Sequence, residues 1–285
     1  PKDILNQKAK WVEPKLLDLP GYKPTLDANP KMIQQAVNLI KQSKKPLLYV
    51  GGGIIHSKAN MELFDLAKKF NIPVVTTLMG RGAFPDGDEL CLGMPGMHGN
   101  YTATTSIQNA DLLIAIGVRF DDRVTANPKF FAQNAKVIHA DIDPAEIGKV
   151  RDAEVPIVGD AKSVIKGLIE KLESTELETS GWIKEINDMK ESFPLNYNQE
   201  DKGPLKVPYV LEELQKMSDD DSIVVSGVGQ HQMWISQHWK FTKPNTWLNS
   251  GGLGTMGYSL PAAIGAKAAF PDKQVLALDL SLIHI

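Results

Sequence analysis

The sequence predicts an α/β protein built on doubly wound parallel sheets. Short apolar segments alternate with amphipathic segments along most of the chain, which is typical of strands and helices in a parallel sheet. Several apolar segments end directly in glycine-rich or charged stretches, and ligands bind at the carboxyl ends of the strands in such sheets. The 285 residues are 42% hydrophobic and 23% charged, as in a soluble globular protein.

The first predicted helix begins at Pro30, because proline suits the first helical position and Asn29 can cap it. Its apolar face repeats at Ile33, Val37 and Ile40. Strands are then predicted at 46–50, 72–76, 111–116, 136–140 and 155–158, and helices at 61–70, 160–172 and 182–189. The alternation of these elements predicts one sheet wound in both directions.

The alternation breaks near residues 190–206, where polar and proline-containing sequence predicts a boundary between two domains. A second α/β unit is expected from Val207. Three helices are predicted: one at 207–217, one that begins after Gly229, and one that ends at Phe270. Strands are predicted at 222–225, 246–248 and 275–278. The complete division is a connector at 1–24, a domain at 25–190, a linker at 191–206, a truncated domain at 207–279 and a tail at 280–285.

Charge and composition exclude several classes of protein. The net charge of -3 provides no broad basic surface for nucleic acid or an anionic membrane. No apolar run approaches the roughly 20 residues that span a bilayer. The single Cys91 excludes an internal disulfide and a cysteine-rich metal site, and is interpreted as a small buried residue in a reducing cytoplasm. Pro1-Lys2-Asp3 is neither an initiator methionine nor a signal peptide, so the chain is expected to begin inside a larger protein.

Three strand ends of the first unit carry possible ligand-binding residues. Gly51–Gly53 follows the first strand, where glycine serves either a ligand or a tight turn, and both interpretations remain open. Gly117-Val-Arg-Phe-Asp-Asp-Arg123 places two arginines at another strand end, and arginine binds phosphate in a bidentate manner. A nucleotide site is therefore favoured over a solvated ion-pair cluster. Asp141 ends a third strand, where it could hold a ribose or form a turn.

The second unit has two glycine-rich strand ends. Gly227-Val-Gly-Gln-His231 suits a diphosphate at a helix N-terminus. Gly252-Leu-Gly-Thr-Met-Gly257 matches the dinucleotide-binding fingerprint literally, and Asp272 follows Gly252 at the expected spacing of 20 residues. Two such turns in one small unit are better explained by a different diphosphate cofactor, so the fingerprint is interpreted as a false positive.

Four motifs together resemble the large subunit of the acetolactate (acetohydroxyacid) synthase family. They are the stretches at 117–124, 96–99, 227–233 and 250–257. The likeness extends from residue 1 to about 279. The Arg119-Phe-Asp-Asp-Arg123 stretch resembles the biosynthetic branch that contains FAD and not the catabolic enzymes that lack it.

This resemblance implies three domains, of which the chain would hold the end of a pyrimidine-binding domain, a whole FAD-binding domain and half of a diphosphate-binding domain. The residues it assigns to FAD are Gly51, Gly52, Gly53, Thr77, Leu78, Met97, His98, Gly117, Arg119, Asp121, Arg123, Val124, Asp141, Ile142 and Asp160. The residues it assigns to thiamine diphosphate are Val228, Gly229, Gln230, His231, Gly254 and Met256. Gln230 and Met256 are the residues to which it gives catalytic roles, Met256 by holding the cofactor in a bent shape.

The activity implied by the resemblance is the decarboxylation of pyruvate and its carboligation to a second 2-oxo acid. Pyruvate as acceptor gives 2-acetolactate, toward valine and leucine, and 2-oxobutyrate gives 2-aceto-2-hydroxybutyrate, toward isoleucine. FAD would perform no net redox chemistry. The partners implied are other large subunits in a homo-oligomer and a separate regulatory small subunit, all in the cytoplasm.

The last six residues depart from the family pattern. Leu280-Ser-Leu-Ile-His-Ile285 replaces a Gly-Asp-Gly segment whose aspartate binds Mg2+, and it offers no carboxylate for a hard cation. No metal ligand is therefore assigned, and Asp279 does not inherit that role. The tail is interpreted as foreign. The activating glutamate would lie in the missing first domain, so the chain alone is expected to be inactive but to retain weak FAD binding.

Other interpretations remain open. A related thiamine-diphosphate enzyme of the pyruvate oxidase or glyoxylate carboligase type is the nearest, and the Arg119–Arg123 stretch disfavours it. An NAD-dependent dehydrogenase built on Gly252–Gly257 is a second, and a non-catalytic binding protein is a third. The cofactor that the protein binds separates the thiamine and dehydrogenase classes.

Overall fold

A computed structural model of the chain describes residue 3, residues 6–13 and residues 23–280. Much of the predicted connector at 1–24 and all but Leu280 of the predicted foreign tail lie outside these residues. The described chain forms two units, each with a parallel sheet, which confirms the predicted fold class. No helix in the described segments is long and apolar enough to cross a membrane.

The first unit contains a sheet of five parallel strands in the order β2-β1-β3-β4-β5. The strands are β1 (Pro46–Val50), β2 (Val74–Thr76), β3 (Leu112–Ile116), β4 (Lys136–Asp141) and β5 (Val155–Val158). The helices are α1 (Pro30–Gln42), α2 (Gly52–His56), α3 (Asn60–Phe70), α4 (Tyr101–Asn109), α5 (Asp122–Thr125), α6 (Ala161–Leu172) and α7 (Ser180–Ser192). The sheet is therefore extended in one direction from β1 to β2, and then in the other from β1 to β3, β4 and β5.

The local signals act as the sequence predicts. Asn29 caps α1, because its side-chain oxygen accepts a hydrogen bond from the backbone N–H of Lys31 at 2.9 Å. Asp160 caps α6 in the same way through Lys162, also at 2.9 Å. A third cap was not predicted: helix α3 ends at Phe70, and Asn71 after it adopts the left-handed conformation that suits a short polar side chain.

Helix α4 is not predicted by the sequence pattern. Its threonine-rich sequence has no strong apolar stripe and contains β-branched residues that favour helices only weakly. The signal that could have revealed it is the cap, because the Asn100 side chain accepts a hydrogen bond from Ala103 N at 2.8 Å.

Two apolar layers cover the first sheet. Helices α1, α3 and α6 bury one face around Leu48, Ile114 and Leu168. Helices α4 and α7 cover the other face, where the indole N–H of Trp182 donates to the carbonyl of Pro46 at 3.1 Å. All residues of β1 and β3 are buried, as in the central strands of a parallel sheet covered on both sides.

The second unit has a smaller sheet in the order β7-β6-β8. Its strands are β6 (Ile223–Ser226), β7 (Trp247–Leu248) and β8 (Val275–Leu278), and its helices are α8 (Val207–Lys216), α9 (Gln230–His238) and α10 (Ser259–Ala269). β6 is buried throughout, whereas β8 has no fully buried residue. The carboxyl ends of β6 and β7 face the first unit, and this arrangement positions the candidate site.

Candidate functional site

Successive strands are added on one side of β1 and then, from β3 onward, on the other. Ligands bind at this change of strand order in open α/β sheets. The turns after β1 and β3 touch: Gly53 N donates to Gly117 O at 3.2 Å, and a Cβ on Gly53 would lie 2.5 Å from Gly117 Cα. Gly117 also has a φ of +61°. A Cβ on Gly52 would instead have only ordinary contacts, the nearest at 3.6 Å from Met79. Gly53 and Gly117 therefore serve turn packing, and Gly52 lines the space beyond.

That space is a cleft of about 730 Å³, which we call the first cleft. It has the size of a pocket for a large organic ligand. Most residues that the resemblance assigns to FAD line it: Gly51, Gly52, Gly53, Thr77, Leu78, Gly117, Arg119, Asp121, Arg123, Val124, Asp141, Ile142 and Asp160. His56 and Ser57 also line it, and the sequence pattern gave no sign of them.

The arginines at the mouth of the first cleft are paired with their neighbours. Arg119 forms an ion pair with Asp121, and Arg123 pairs with Asp122 at 3.1 Å. Both guanidinium groups are more than half exposed, and both residues line the cleft. The ion-pair cluster and the phosphate site are thus compatible, because an exposed guanidinium can exchange a carboxylate partner for a phosphate at little cost.

The acidic residues of the cleft have structural roles as well. Asp141 accepts a hydrogen bond from Asp143 N at 2.9 Å, and burial raises the pKa of its carboxyl. Asp160 is the cap of α6, so the N-terminus of that helix points into the cleft. The neighbouring His139 is buried and bonds through Nε2 to Val118 O at 2.8 Å, and burial lowers its pKa. His139 is therefore a core residue, as expected.

Met97 and His98 do not line the first cleft. The Met97 side chain is 62% exposed, and its backbone N donates to Arg123 O at 2.8 Å. His98 instead lines a second cleft, and its carbonyl accepts a hydrogen bond from Gln237 Nε2 at 2.6 Å. The 96–99 loop thus lies between the two units.

The second cleft, of about 660 Å³, lies between the 94–98 loop and the glycine-rich turns of the second unit. Four residues assigned to thiamine diphosphate line it: Val228, Gly229, Gln230 and Gly254. Gln230 begins α9, so a helix N-terminus opens toward the cleft. The two clefts adjoin, because both are lined by Leu78, Arg123, Val124 and Gly251.

His231 and Met256 lie outside the lining of the second cleft. His231 is 5% exposed, and its Nε2 is 3.6 Å from the carboxylate of Asp279, while burial lowers its pKa. Met256 is 74% exposed on the turn before α10. Asp279 also accepts a hydrogen bond from Ser259 Oγ at 2.5 Å, so its carboxylate is already engaged.

The literal dinucleotide fingerprint does not have the geometry of a nucleotide site. A true fingerprint places the acidic residue at the carboxyl end of the next strand, beside the ribose. Asp272 instead precedes β8 and lies at its amino end, on the opposite edge of the sheet from Gly252. The fingerprint at Gly252–Gly257 is therefore a false positive, as the sequence interpretation held.

Cys91 is buried, and burial raises the pKa of its thiol to about 12. A thiol with so high a pKa stays protonated and is a poor nucleophile. Within the described residues, no group of three or more histidine, cysteine, aspartate or glutamate side chains is arranged to hold a metal ion. The site consists of two adjoining clefts lined by backbone groups, arginine, aspartate, glutamine and histidine side chains, and apolar groups.

Comparison with known proteins identifies the family. Residues 33–168 match the central domain of thiamine pyrophosphate enzymes, and residues 227–279 match the C-terminal TPP binding domain of the same enzymes. The chain is 52% identical over 282 residues to the acetolactate synthase large subunit of Corynebacterium glutamicum, covering 98% of this chain and 45% of that protein. This chain belongs to the acetolactate synthase family of thiamine pyrophosphate enzymes.

The likeness extends across kingdoms. The chloroplastic acetolactate synthase 2 of Nicotiana tabacum is 46% identical, over 98% of this chain and 42% of its own length. The probable acetolactate synthase large subunit of Methanococcus aeolicus is 43% identical, over 98% of this chain and 49% of its own length. The chain therefore spans a little under half the length of these curated relatives. The matched family domains include the strand ends that form each cleft.

The sequence pattern did not identify the residues that join the two units. Asp86 accepts hydrogen bonds from Arg81, at 2.5 and 2.7 Å, and from Phe241 N at 2.7 Å. Asp86 N in turn donates to Phe241 O at 3.1 Å. Arg81 and Asp86 are almost fully buried, at 3% and 7% side-chain exposure. Only their spacing of five residues was visible in the sequence, and that spacing alone predicts no pairing.

Proposed function

We propose that this chain is the cofactor-binding part of an acetolactate synthase catalytic subunit, with FAD in the first cleft and thiamine diphosphate at the second. The observation that carries the proposal is the meeting of the two clefts at Leu78 and Gly251. The parent subunit would decarboxylate pyruvate and join the resulting two-carbon unit to a second 2-oxo acid. The products would be 2-acetolactate or 2-aceto-2-hydroxybutyrate, for branched-chain amino acid biosynthesis.

The first cleft fits a flavin dinucleotide in its chemistry. Arg119 and Arg123 offer guanidinium groups to a diphosphate, and the N-terminus of α6 adds its dipole. Asp141 offers a carboxylate oxygen to a hydroxyl, such as that of a ribose. Leu78 and Val124 supply the apolar surface against which a flat ring can pack. These residues would bind and orient FAD without taking part in redox chemistry.

The second cleft fits a cofactor that carries a diphosphate. Gly229 and Gln230 present backbone N–H groups at the start of α9, and Gly254 adopts a φ of +64°, a conformation that suits glycine in the facing turn. Thiamine diphosphate, when bound, accepts electrons as carbon dioxide leaves a 2-oxo acid. The role of this chain would be to position the diphosphate and to keep water from the reacting face. Met256 would support the bent cofactor, and Gln230 would contact it.

Three further features belong to the same proposal. Mg2+ would supply positive charge to the diphosphate, and no residue of this chain is proposed as its ligand. The parent subunit would form a homo-oligomer and bind a separate regulatory small subunit. It would act in the cytoplasm on free 2-oxo acids such as pyruvate and 2-oxobutyrate.

A chimera tests this function. Residues 23–279 would replace the matching segment of the Corynebacterium glutamicum large subunit, which supplies all remaining parts of the enzyme. We expect the chimera to form acetolactate from pyruvate only when thiamine diphosphate and Mg2+ are present. Acetyl phosphate with peroxide, or tartronate semialdehyde from glyoxylate, would instead assign a pyruvate oxidase or glyoxylate carboligase activity. A folded chimera with no carboligase activity would contradict the proposal.

A further inference from the structure

The Thr77–Gly80 turn is one of the segments that lie against both clefts, together with Arg123–Val124 and Gly251. Thr77 and Met79 line the first cleft, and Leu78 lines both. The turn is short and well defined: the Thr77 side chain accepts a hydrogen bond from Gly80 N at 3.2 Å. A ligand that fills the first cleft would therefore contact this turn directly.

The same turn holds the second unit. The indole N–H of Trp247, on strand β7, donates to the carbonyl of Leu78 at 3.2 Å. Trp247 is 7% exposed and packs its ring on Phe241, at a centroid distance of 5.1 Å. Trp247 lines neither cleft among the residues that the structure describes. Trp247 therefore contacts the turn through this hydrogen bond but lies outside the lining of both clefts.

Strand β7 leads directly into the glycine-rich turn of the second cleft. Two residues separate Leu248 from the turn that begins at Gly251, and Gln232 Nε2 of α9 donates to Asn249 Oδ1 at 3.2 Å. β7 pairs along only two residues with β6, which gives it few hydrogen bonds of its own. A strand held this weakly by its sheet depends on its other contacts for order.

We propose that the Thr77–Gly80 turn couples the two clefts, with Trp247 as a positioning residue. Flavin dinucleotide in the first cleft fixes the turn, and the bond from Trp247 to Leu78 then restrains β7 and the start of the second cleft. This inference rests on the proposed function of the first cleft. Coupling of this kind is reciprocal, so a ligand in the second cleft tightens flavin binding by the same factor.

Hydrogen exchange of the 285-residue chain, with and without FAD, tests the coupling. In the unaltered protein, FAD slows exchange at residues 77–80 and also at 241–248, by about fivefold or more. In Trp247→Phe, which keeps an aromatic ring but lacks the N–H donor, FAD still slows exchange at 77–80. Its effect at 241–248 is lost.

The matched control is Trp182→Phe. It also removes a buried indole hydrogen bond, to Pro46 O at 3.1 Å, but within the first unit. We expect it to lower stability and to leave the effect of FAD at 241–248 intact. The coupling is overturned if Trp182→Phe abolishes that effect, or if Trp247→Phe preserves it.

The outcomes separate this inference from the function on which it rests. FAD that binds but leaves 241–248 unchanged in the unaltered protein overturns the coupling alone, even if Trp247→Phe fails to fold. No FAD binding in a fluorescence titration overturns both. Slowed exchange at 241–248 that depends on Trp247 supports both.

Discussion

The two units differ in how completely their sheets are covered. Every residue of β1 and β3 is buried in the first unit, whereas β8 of the second has no fully buried residue. Ile264 on helix α10 is 62% exposed, and Phe270, just after this helix, is 52% exposed. The first unit thus contains its own core. The second leaves part of its apolar surface uncovered. Leu78 of the first unit packs on the core of the second, so the interface between them joins the two cores and shapes the second cleft.

The largest effect is expected at that interface. Asp86→Ala leaves the buried guanidinium of Arg81 without its partner and removes the bond to Phe241, so it should lower the free energy of unfolding by about 3–5 kcal/mol. Urea denaturation followed by tryptophan fluorescence measures this. Glu213→Ala, which removes an exposed ion pair with Lys216, is the control and should change nothing measurable. Equal effects of the two would mean that the interface contributes no special stability.

Core truncation compares the two sheets directly. Leu48→Ala in β1 removes a fully buried side chain and should lower the free energy of unfolding by about 3 kcal/mol. Leu276→Ala in β8 makes the same change at a half-buried position and should lower it by about 1 kcal/mol. Urea denaturation followed by circular dichroism gives both values. A larger loss for Leu276→Ala would contradict the view that the first unit has the closed core.

The contact between Gly53 and Gly117 predicts a smaller effect, a difference in stability between two glycine-to-alanine variants. Gly117→Ala adds a Cβ that would lie 2.6 Å from Gly53 Cα, at a φ of +61°, so strain and overlap add together. Gly148→Ala has a similar φ of +75° but nothing within 4 Å of the new Cβ. Gly117→Ala should therefore destabilise the chain by about 2 kcal/mol more, as measured by thermal unfolding. Equal losses would show that the two turns can separate without cost.

The buried histidines predict the smallest effect, on the pH dependence of stability. Burial lowers the pKa of His139 in the first unit and of His231 and His238 in the second. The unfolded chain then binds protons more readily than the folded one, so stability falls as pH decreases below about 6.5. The melting temperature at pH 7.5 and 5.5 checks this, and His139→Gln should reduce the difference. A melting temperature that rises at pH 5.5 would contradict it.

The sequence predicted β1 and β3 well because each is a continuous buried apolar run bounded by turn signals. The apolar runs of β4 and β5 are weaker, because β4 contains His139 and β5 contains the exposed Pro156. The strand ends also predicted Gly51–Gly53, the 117–123 stretch and Asp141 at the first cleft, since parallel strands bring their carboxyl ends to one edge. Thr77, Leu78, Val124, Ile142 and Asp160 were assigned only by the family resemblance. The sequence did not predict α4, whose helix depends on a cap and on tertiary packing more than on an apolar stripe. Nor could it predict that Asp86 meets Phe241, because 155 positions separate them and no local pattern records such a contact.

The glycines show why a motif alone does not assign a role. Gly51–Gly53 was compatible with a ligand or with a tight turn. The structure shows the tight packing of Gly53 on Gly117 and places Gly52 in the lining of the cleft, so a ligand role remains a prediction. The Gly252–Gly257 match had correct spacing but the wrong edge for its acidic residue. For both motifs the role depends on where the residues lie in the sheet, and the spacing of residues along the sequence does not record that position.

Cofactor binding by the first cleft tests the central claim most directly. Equilibrium dialysis of the 285-residue chain against FAD or NAD should show saturable binding of FAD and none of NAD. Arg119→Gln should weaken FAD binding by about tenfold, because one charged phosphate contact contributes on the order of 1.5 kcal/mol. Lys136→Gln, at the amino end of β4 on the opposite edge of the sheet, should leave it unchanged. Binding of NAD, or FAD binding that Lys136→Gln weakens as much as Arg119→Gln, would contradict the account.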